Sequence, residues 1–441
     1  MRFFRLFIIA VVVLAAIFGI FELVRTSILR DKGGIVLHFG SMEPNMKAKE
    51  LSTSDALDIF MLDNFFEPNP LLDKVVDSLY ANLQPDERVG QMIVSILGNK
   101  KRKPEEVAQL IRERKVGGVT LQNPWDEMPN IIMSLRDEVE KAGSFPLILS
   151  VDAEPTLLNA RLEGISDIPN TNEFNSIQEC VETAGNIAYM LQGLGIHQNF
   201  APVCDITDMP SKYHGEEVQE EDMETSLAAE EPIGPDISPS PTHHRSFGAN
   251  LKHVAKMVQA FTEETQSQGI IATAKHFPGH GKAIGDSHDG PAIINGRMEE
   301  LGTFRHAIGS GVISVMVGHI MVKDNPEYET GDIPASISPT IVTDLLKKEL
   351  GFKGLTITDA MDMKAVNGIP NAPFAAIKAG NDMVLMPEDE LELVSRVIEE
   401  TEKDKEFADQ IEESVKKIIR LKVCLGLFSE GADAFHLARK W

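Results

Sequence analysis

Asp359 closes the run Leu355-Thr356-Ile357-Thr358 and is followed by Ala360-Met361-Asp362-Met363, so a carboxylate stands at a strand tip beside apolar neighbours. A carboxylate held there can serve as a nucleophile, and equally it can cap a helix. Asp286-Ser287-His288 places a second carboxylate two residues from an imidazole. At that spacing the aspartate can orient the ring and stabilise its protonated form, so that His288 gives a proton to a leaving group and later takes one from water. His276 and His280 join His288 to make three histidines within thirteen residues. Zinc binding by a pair four residues apart needs a helix, which Pro278-Gly279 prevents, so no metal site is expected. No G-x-S-x-G elbow occurs, which argues against a Ser-His-Asp hydrolase.

Such residues need a scaffold. Eight short β-rich apolar runs recur: Val89 to Leu97, Val116 to Leu121, Pro146 to Val151, Ile196 to Cys204, Gly269 to Ala274, Val312 to Val317, Leu355 to Thr358 and Asp382 to Met386. Helical periodicity fills most of the gaps, over Pro104 to Arg114, Asn130 to Ala142, Ile177 to Leu194, Leu251 to Gln268, Ser338 to Leu350 and Glu390 to Glu400. Strands alternating with helices in this way predict parallel βαβ units and an α/β fold of the (β/α)8 TIM-type barrel class. An open doubly wound sheet would carry a glycine-rich phosphate turn after its first strand, and Gly98-Asn99-Lys100 is not that fingerprint. In a barrel, chemistry gathers at the C-terminal strand ends. There the sequence places Asp152-Ala153-Glu154, Asp205, Lys275-His276-Phe277-Pro278-Gly279-His280-Gly281, His319 and Asp359.

The 441 residues carry a net charge of −25, which repels phosphate backbones and excludes nucleic acid as a natural partner. Cys180, Cys204 and Cys424 are too few for a disulfide framework and are not at metal-ligand spacing. Leu6 to Val24 is interrupted only by Glu22. At 1.5 Å per residue its nineteen positions reach about 28 Å, near the thickness of a bilayer core. With Arg2 and Arg5 ahead of it and no clear small-x-small cleavage site before Arg25, residues 1–30 read as an uncleaved membrane anchor, with a cleaved signal peptide as the alternative. Residues 31–71 read as a linker, residues 72–428 as the barrel and residues 429–441 as a tail. Met209 to Pro241 holds nine acidic residues, one lysine and five prolines, and reads as a solvated excursion from a loop.

Read together, Ala274-Lys275-His276-Phe277-Pro278-Gly279-His280-Gly281 and Asp286-Ser287-His288 resemble the catalytic domain of glycoside hydrolase family 3, in its branch of bacterial β-N-acetylglucosaminidases. The likeness extends to Leu83 through Met92, Asn199-Phe200-Ala201-Pro202-Val203-Cys204-Asp205, Arg245-Ser246-Phe247-Gly248, Ile357 through Met363 and Leu421 through Phe428. The resemblance implies that Asp359 is the nucleophile forming a covalent glycosyl-enzyme, and that His288, paired with Asp286, is the acid/base. Two carboxylates in such a retaining pair stand roughly 5–5.5 Å apart, and here histidine replaces one of them. A neutral histidine does not repel an incoming anion, which leaves water and phosphate both conceivable as acceptors. By the same resemblance Lys275, His276 and Arg245 hold sugar hydroxyls, and Asp152 grips the distal hydroxyls of the terminal sugar. The family pattern D-x-E-G-G-x-V-x-R-L reads here Asp152-Ala153-Glu154-Pro155-Thr156-Leu157-Leu158-Asn159-Ala160-Arg161-Leu162, without glycines and with one residue more before Arg161. That loop must take another path, and Arg161 is carried over as a sugar contact on that condition.

The expectation is therefore a retaining exo-β-N-acetylglucosaminidase, tethered to a membrane with its barrel outside the cytoplasm, acting on cell-wall fragments or chitin-like oligomers. Proton transfer and attack come from side chains, so no cofactor is expected. Two alternatives stay open. One is a β-glucosidase or xylosidase of the same family; in that branch the acid/base is a glutamate from a second domain, whereas this chain supplies Asp286-Ser287-His288. The other is a catalytically silent, membrane-tethered glycan-binding protein.

Overall fold

Each of the eight apolar runs supplies one strand of a parallel barrel. The computed structural model describes residues 60–98, 102–161, 168–207, 211 and 244–428. The proposed anchor, the linker up to residue 59, residues 209–241 apart from Ser211, and the tail 429–441 lie outside the described residues. Among the described residues no helix is long and apolar enough to cross a membrane.

The strands are β1 (Ile93–Gly98), β2 (Gly118–Gln122), β3 (Ile148–Val151), β4 (Gln198–Asn199), β5 (Ile271–Phe277), β6 (Ala292–Asn295), β7 (Ser314–Val317), β8 (Ile320–Lys323), β9 (Leu355–Thr358) and β10 (Val384–Leu385). Eight of them pair in the order β10-β1-β2-β3-β4-β5-β7-β9, with every pairing parallel. Ile357 bridges Met383 in parallel, and Met383 N–H donates to the Thr356 carbonyl at 2.9 Å, so the last strands meet and the sheet nearly closes. β6 and β8 form a separate parallel pair, which the sequence did not announce. The first run starts later than expected. Val89 belongs to a short helix opened by Pro85, and the strand begins at Ile93.

The helices around the sheet are α1 (Pro70–Ala81), α2 (Pro85–Gly90), α3 (Pro104–Arg112), α4 (Met128–Ala142), α5 (Pro155–Arg161), α6 (Ile177–Leu194), α7 (Leu251–Ser267), α8 (Leu301–Gly309), α9 (Ala372–Lys378), α10 (Glu390–Thr401) and α11 (Lys405–Cys424). A π-helical stretch, Thr340–Glu349, stands before β9. Their starts are written in the sequence as caps: Asn69, Ser176, Asn250, Asp389 and Asp404 each accept a hydrogen bond from a first-turn N–H. α6 stops at Gly195, whose φ of +78° suits a residue without Cβ.

Packing reaches upstream of Leu72, because Phe60, Leu62 and Phe65 are buried in the same apolar cluster as α11. Arg420 of α11 fastens that segment, donating to the carbonyls of Asn64, Phe65 and Glu67 and pairing with Asp73. Across three neighbouring strands Gln198 donates to the hydroxyls of Thr273 and Ser314, a buried polar layer in which these groups are satisfied. Lys422 is wholly buried and donates to Gln91 at 2.6 Å; burial pushes its ammonium down to about 7.

Candidate active site

Short strands ending on polar residues bring the candidates to one rim. Asp152 follows β3, Asp205 lies beyond β4, Lys275 and His276 lie in β5 just before its last residue, Phe277, His319 follows β7 and Asp359 follows β9. At the floor of this rim Lys275, 2% exposed, places its ammonium 2.6 Å from Asp152 and 2.5 Å from Glu154. Arg245 meets Glu154 with two parallel bonds of 2.8 and 2.7 Å, the fork geometry that guanidinium and carboxylate favour. Burial alone would raise the Glu154 carboxyl, but Arg245 and Lys275 together hold it well below the usual carboxylate range. Asp152, 27% exposed, is the member of the cluster that meets solvent most.

Glu154 was legible two residues after Asp152 yet carried no role in the sequence reading. It is the residue that gathers Lys275 and Arg245. Asp205 does similar work on the other side. Its Oδ2 lies 2.8 Å from His276 Nδ1, and its Oδ1 accepts from the main-chain N–H of His276 at 3.2 Å and of His280 at 2.9 Å. With Nδ1 thus engaged, the free nitrogen of His276 is Nε2. Glu300, at the start of α8, is buried and accepts from Ile206 N–H at 2.5 Å and Gly281 N–H at 3.0 Å. Burial, with the nearby Asp205 charge, raises its carboxyl well above the usual range. The loop must be glycine here. A Cβ on Gly281 would stand 1.9 Å from the Ile206 carbonyl oxygen and 2.5 Å from Glu300.

Asp359 is held by its surroundings rather than by a single partner. Its N–H donates to the Val317 carbonyl at 2.9 Å, and its Oδ1 accepts from Ala360 N–H at 2.8 Å. Burial pushes the carboxyl up, but His276, His319, the Ala360 amide and Lys275 outweigh it and keep it below the usual range. An ionised, partly desolvated carboxylate is the state a nucleophile needs at neutral pH. His319 is buried and kept below the ordinary histidine range mainly by that burial. Its two nitrogens meet Ser336 Oγ at 2.7 Å and the Ala360 carbonyl at 2.9 Å, so it braces the turn carrying Asp359.

Asp286 and His288 lie in the β5–β6 loop, and there the spacing argument holds. His288 Nδ1 is 2.8 Å from Asp286 Oδ1, which also accepts the His288 main-chain N–H at 2.9 Å. Burial raises the Asp286 carboxyl less than these His288 bonds lower it. With Nδ1 turned to the carboxylate, Nε2 is the nitrogen left for a substrate. The pair is open to solvent, with side-chain exposures of 59% for His288 and 36% for Asp286. Two contacts tie its loop to the segment after Asp359: the Ser287 carbonyl accepts from Ala365 N–H at 3.3 Å, and Asp289 pairs with Lys364 at 3.1 Å.

The departing loop after Asp152 takes the form of α5, opened by Pro155 and docked by Thr156, whose hydroxyl donates to the His244 carbonyl at 2.7 Å. Leu158 of this helix is fully buried. Arg161 ends the helix, and its side chain lies outside the described residues. Among the described residues no group of three or more His, Cys, Asp or Glu is arranged to hold a metal ion.

The glycosyl hydrolase family 3 N terminal domain model matches residues 85–233 and 214–421. A β-N-acetylglucosaminidase/β-glucosidase of Cellulomonas fimi is 28% identical over 384 residues, covering 80% of this chain and 60% of that protein. A β-hexosaminidase of Methylobacillus flagellatus is 26% identical over 315 residues, covering 68% of this chain and 80% of its own length. Among solved structures, a family 3 β-N-acetylglucosaminidase from Paenibacillus sp. superposes with a TM-score of 0.66 at 25% identity, over 79% of this chain and 64% of the other. The chain thus spans under two thirds of the Cellulomonas and Paenibacillus proteins and most of the Methylobacillus one.

Proposed function

Because the chain belongs to glycosyl hydrolase family 3, we propose that it is a retaining exo-β-N-acetylglucosaminidase that removes terminal N-acetylglucosamine from cell-wall fragments or chitin-like oligosaccharides. In this reading Asp359 attacks the anomeric carbon while the bond to the leaving oxygen breaks, and that oxygen takes the proton from His288 Nε2. His288 then removes a proton from water, which attacks the same carbon and releases Asp359 from its ester. Asp286 keeps the His288 ring oriented through Nδ1 and balances its charge when protonated. Lys275, His276, Arg245, Asp152 and Arg161 hold the sugar, with Glu154 and Asp205 fixing the cations and the ring among them. Buried, charged partners of this kind discriminate strongly, since a sugar lacking the matching hydroxyl leaves them unpaired.

The observation that carries the reading is the joint placement of an ionised Asp359 at the floor of the rim and an exposed Asp286–His288 pair on a loop hydrogen-bonded to the chain just beyond it. A β-glucosidase activity keeps a place beside it, because the Cellulomonas relative is named for both. The anchor over Leu6 to Val24, an extracytoplasmic barrel and the acidic excursion over 209–241 are part of the same proposal, supported by hydropathy and composition. The test is release of chromophore from p-nitrophenyl β-N-acetylglucosaminide by the full chain in detergent, with the β-glucoside as control and Asp359→Asn alongside. Turnover of the acetylated sugar that vanishes in the variant is the expected result. Turnover of the glucoside alone moves the protein to the second activity, and turnover surviving in Asp359→Asn removes the assigned nucleophile.

A further inference from the structure

The loop bearing the proton donor faces solvent, but its central residue does not. Ser287 is 1% exposed, against 59% for the His288 side chain beside it. Its hydroxyl lies 2.9 Å from Nε2 of His280, a ring that is itself buried. His280 is fixed from behind: its main-chain N–H donates to Asp205 Oδ1, the same carboxylate whose Oδ2 holds His276 Nδ1. The other ring nitrogen of His280, Nδ1, is buried without a hydrogen-bond partner. Buried polar atoms of that kind are rare, so the ring is set to serve Ser287 rather than to satisfy itself. On the far side the turn is closed by the N–H groups of Asp289 and Gly290, both donating to the Asp286 carbonyl at 2.9 Å.

We propose that His280, acting through the Ser287 hydroxyl, is a positioning residue for the acid/base: it pins the middle of Asp286-Ser287-His288 to the Asp205 that also orients His276. The inference rests on the reading of His288 as proton donor and deepens it. A side chain as open as His288 has few packing contacts of its own to fix it, so its height over the cleft is set by its backbone, and the backbone is held where Ser287 enters the protein. Reaction rates respond steeply to such placement, a shift of about 1 Å being able to cost roughly 100-fold. The contact links the floor of the site to its exposed loop, so one carboxylate registers both.

The experiment compares Ser287→Ala, His280→Gln and His288→Ala in the full chain on two aryl β-N-acetylglucosaminides, one with a nitrophenyl leaving group and one with unsubstituted phenyl. Mispositioning of an acid penalises the poor leaving group selectively. Ser287→Ala is expected to lower kcat/KM on the phenyl glycoside by on the order of 10- to 100-fold, and on the nitrophenyl glycoside by less than about 3-fold. His280→Gln, which keeps a nitrogen near the position of Nε2, falls between Ser287→Ala and the parent. On a His288→Ala background Ser287→Ala adds nothing further, since there is no longer a ring to place. Equal losses on both substrates, or a further loss in the double variant, overturn the proposal and make the contact structural. If His288→Ala itself shows no dependence on the leaving group, the acid/base reading fails and the positioning role falls with it. If His288→Ala shows that dependence and Ser287→Ala does not, the positioning role alone fails.

Discussion

The floor around Asp359 and the loop after β5 use the same kinds of residue under opposite conditions. On the floor, Glu154, Lys275 and Asp205 are at most 2% exposed, and each charge is matched by a partner at hydrogen-bond distance. In the loop, Asp286 and His288 form an equally close pair in the open. Desolvation makes the difference. Buried charges interact strongly and hold one protonation state, which suits a nucleophile and the groups that grip a sugar. A group that must give up and regain a proton in each cycle is better left near water, where neither form is heavily penalised. On the proposed reading the molecule separates a buried electrostatic floor from an exposed rim that exchanges protons, and the His280–Ser287 contact runs between the two.

The sharpest way to test that separation is Asp359→Asn, expected to reduce kcat/KM by on the order of 10⁴-fold or more, as loss of a nucleophile does, with the thermal midpoint little changed. His288→Ala should cost about 10²- to 10⁴-fold in rate, while unfolding free energy from urea titration stays within roughly 0.5 kcal/mol. If that substitution destabilises the fold, the loop is not the free rim described. Glu154→Gln should, unlike His288→Ala, reach the fold as well as the rate. Leaving Arg245 and Lys275 with a buried charge unmatched is expected to cost about 3–5 kcal/mol of stability, read from the same titration. The sign with pH follows from the lowered Glu154 carboxyl. Its stabilisation is complete above the ordinary carboxylate range and is lost as pH falls through that range toward its own depressed value, so the gap between parent and variant should close in acid.

Lys422 supplies a third case, a buried charge whose side-chain partner among the described residues is the Gln91 amide. Its ammonium is depressed to about 7. Between there and the ordinary lysine range the unfolded chain binds the extra proton, so stability should rise with pH by up to roughly 1.4 kcal/mol per unit, and Lys422→Met should lose that slope. The smallest effect belongs to the rim. Lys364→Ala, breaking the exposed pair with Asp289, should change stability by less than about 1 kcal/mol.

The barrel was legible because parallel strands buried on both faces read as short continuous apolar runs. All eight runs became strands, and the bounds Ile177 to Leu194 and Leu355 to Thr358 appear in the structure as read. Val89 misled because an apolar residue at the end of the short helix α2 continues, in one dimension, into the strand that follows. Asp286 and His288 could be paired from sequence because two residues of separation already bring them together. Glu154 with Arg245, or Asp205 with His276, could not: these partners are 91 and 71 residues apart and meet only when the barrel closes. Glu300 gave no signal at all, since its role is to receive main-chain N–H groups, which no residue pattern records. The helix before β9 was read, over Ser338 to Leu350, but its π winding and the β6–β8 pair were equally silent.

The clasp made by Arg420 bears on where the catalytic body can be cut. It holds Asn64, Phe65 and Glu67 by their carbonyl groups, which any amino acid would offer, so this contact fixes the peptide path without specifying the side chains, and Phe65 is specified separately by its burial. A recombinant fragment opening at Leu72, where the sequence reading sets the start of the barrel, would discard all three acceptors and strip Phe60, Leu62 and Phe65 from the packing on α11. The workable boundary lies ahead of Phe60, the first residue of the described segment that packs in the same cluster as α11.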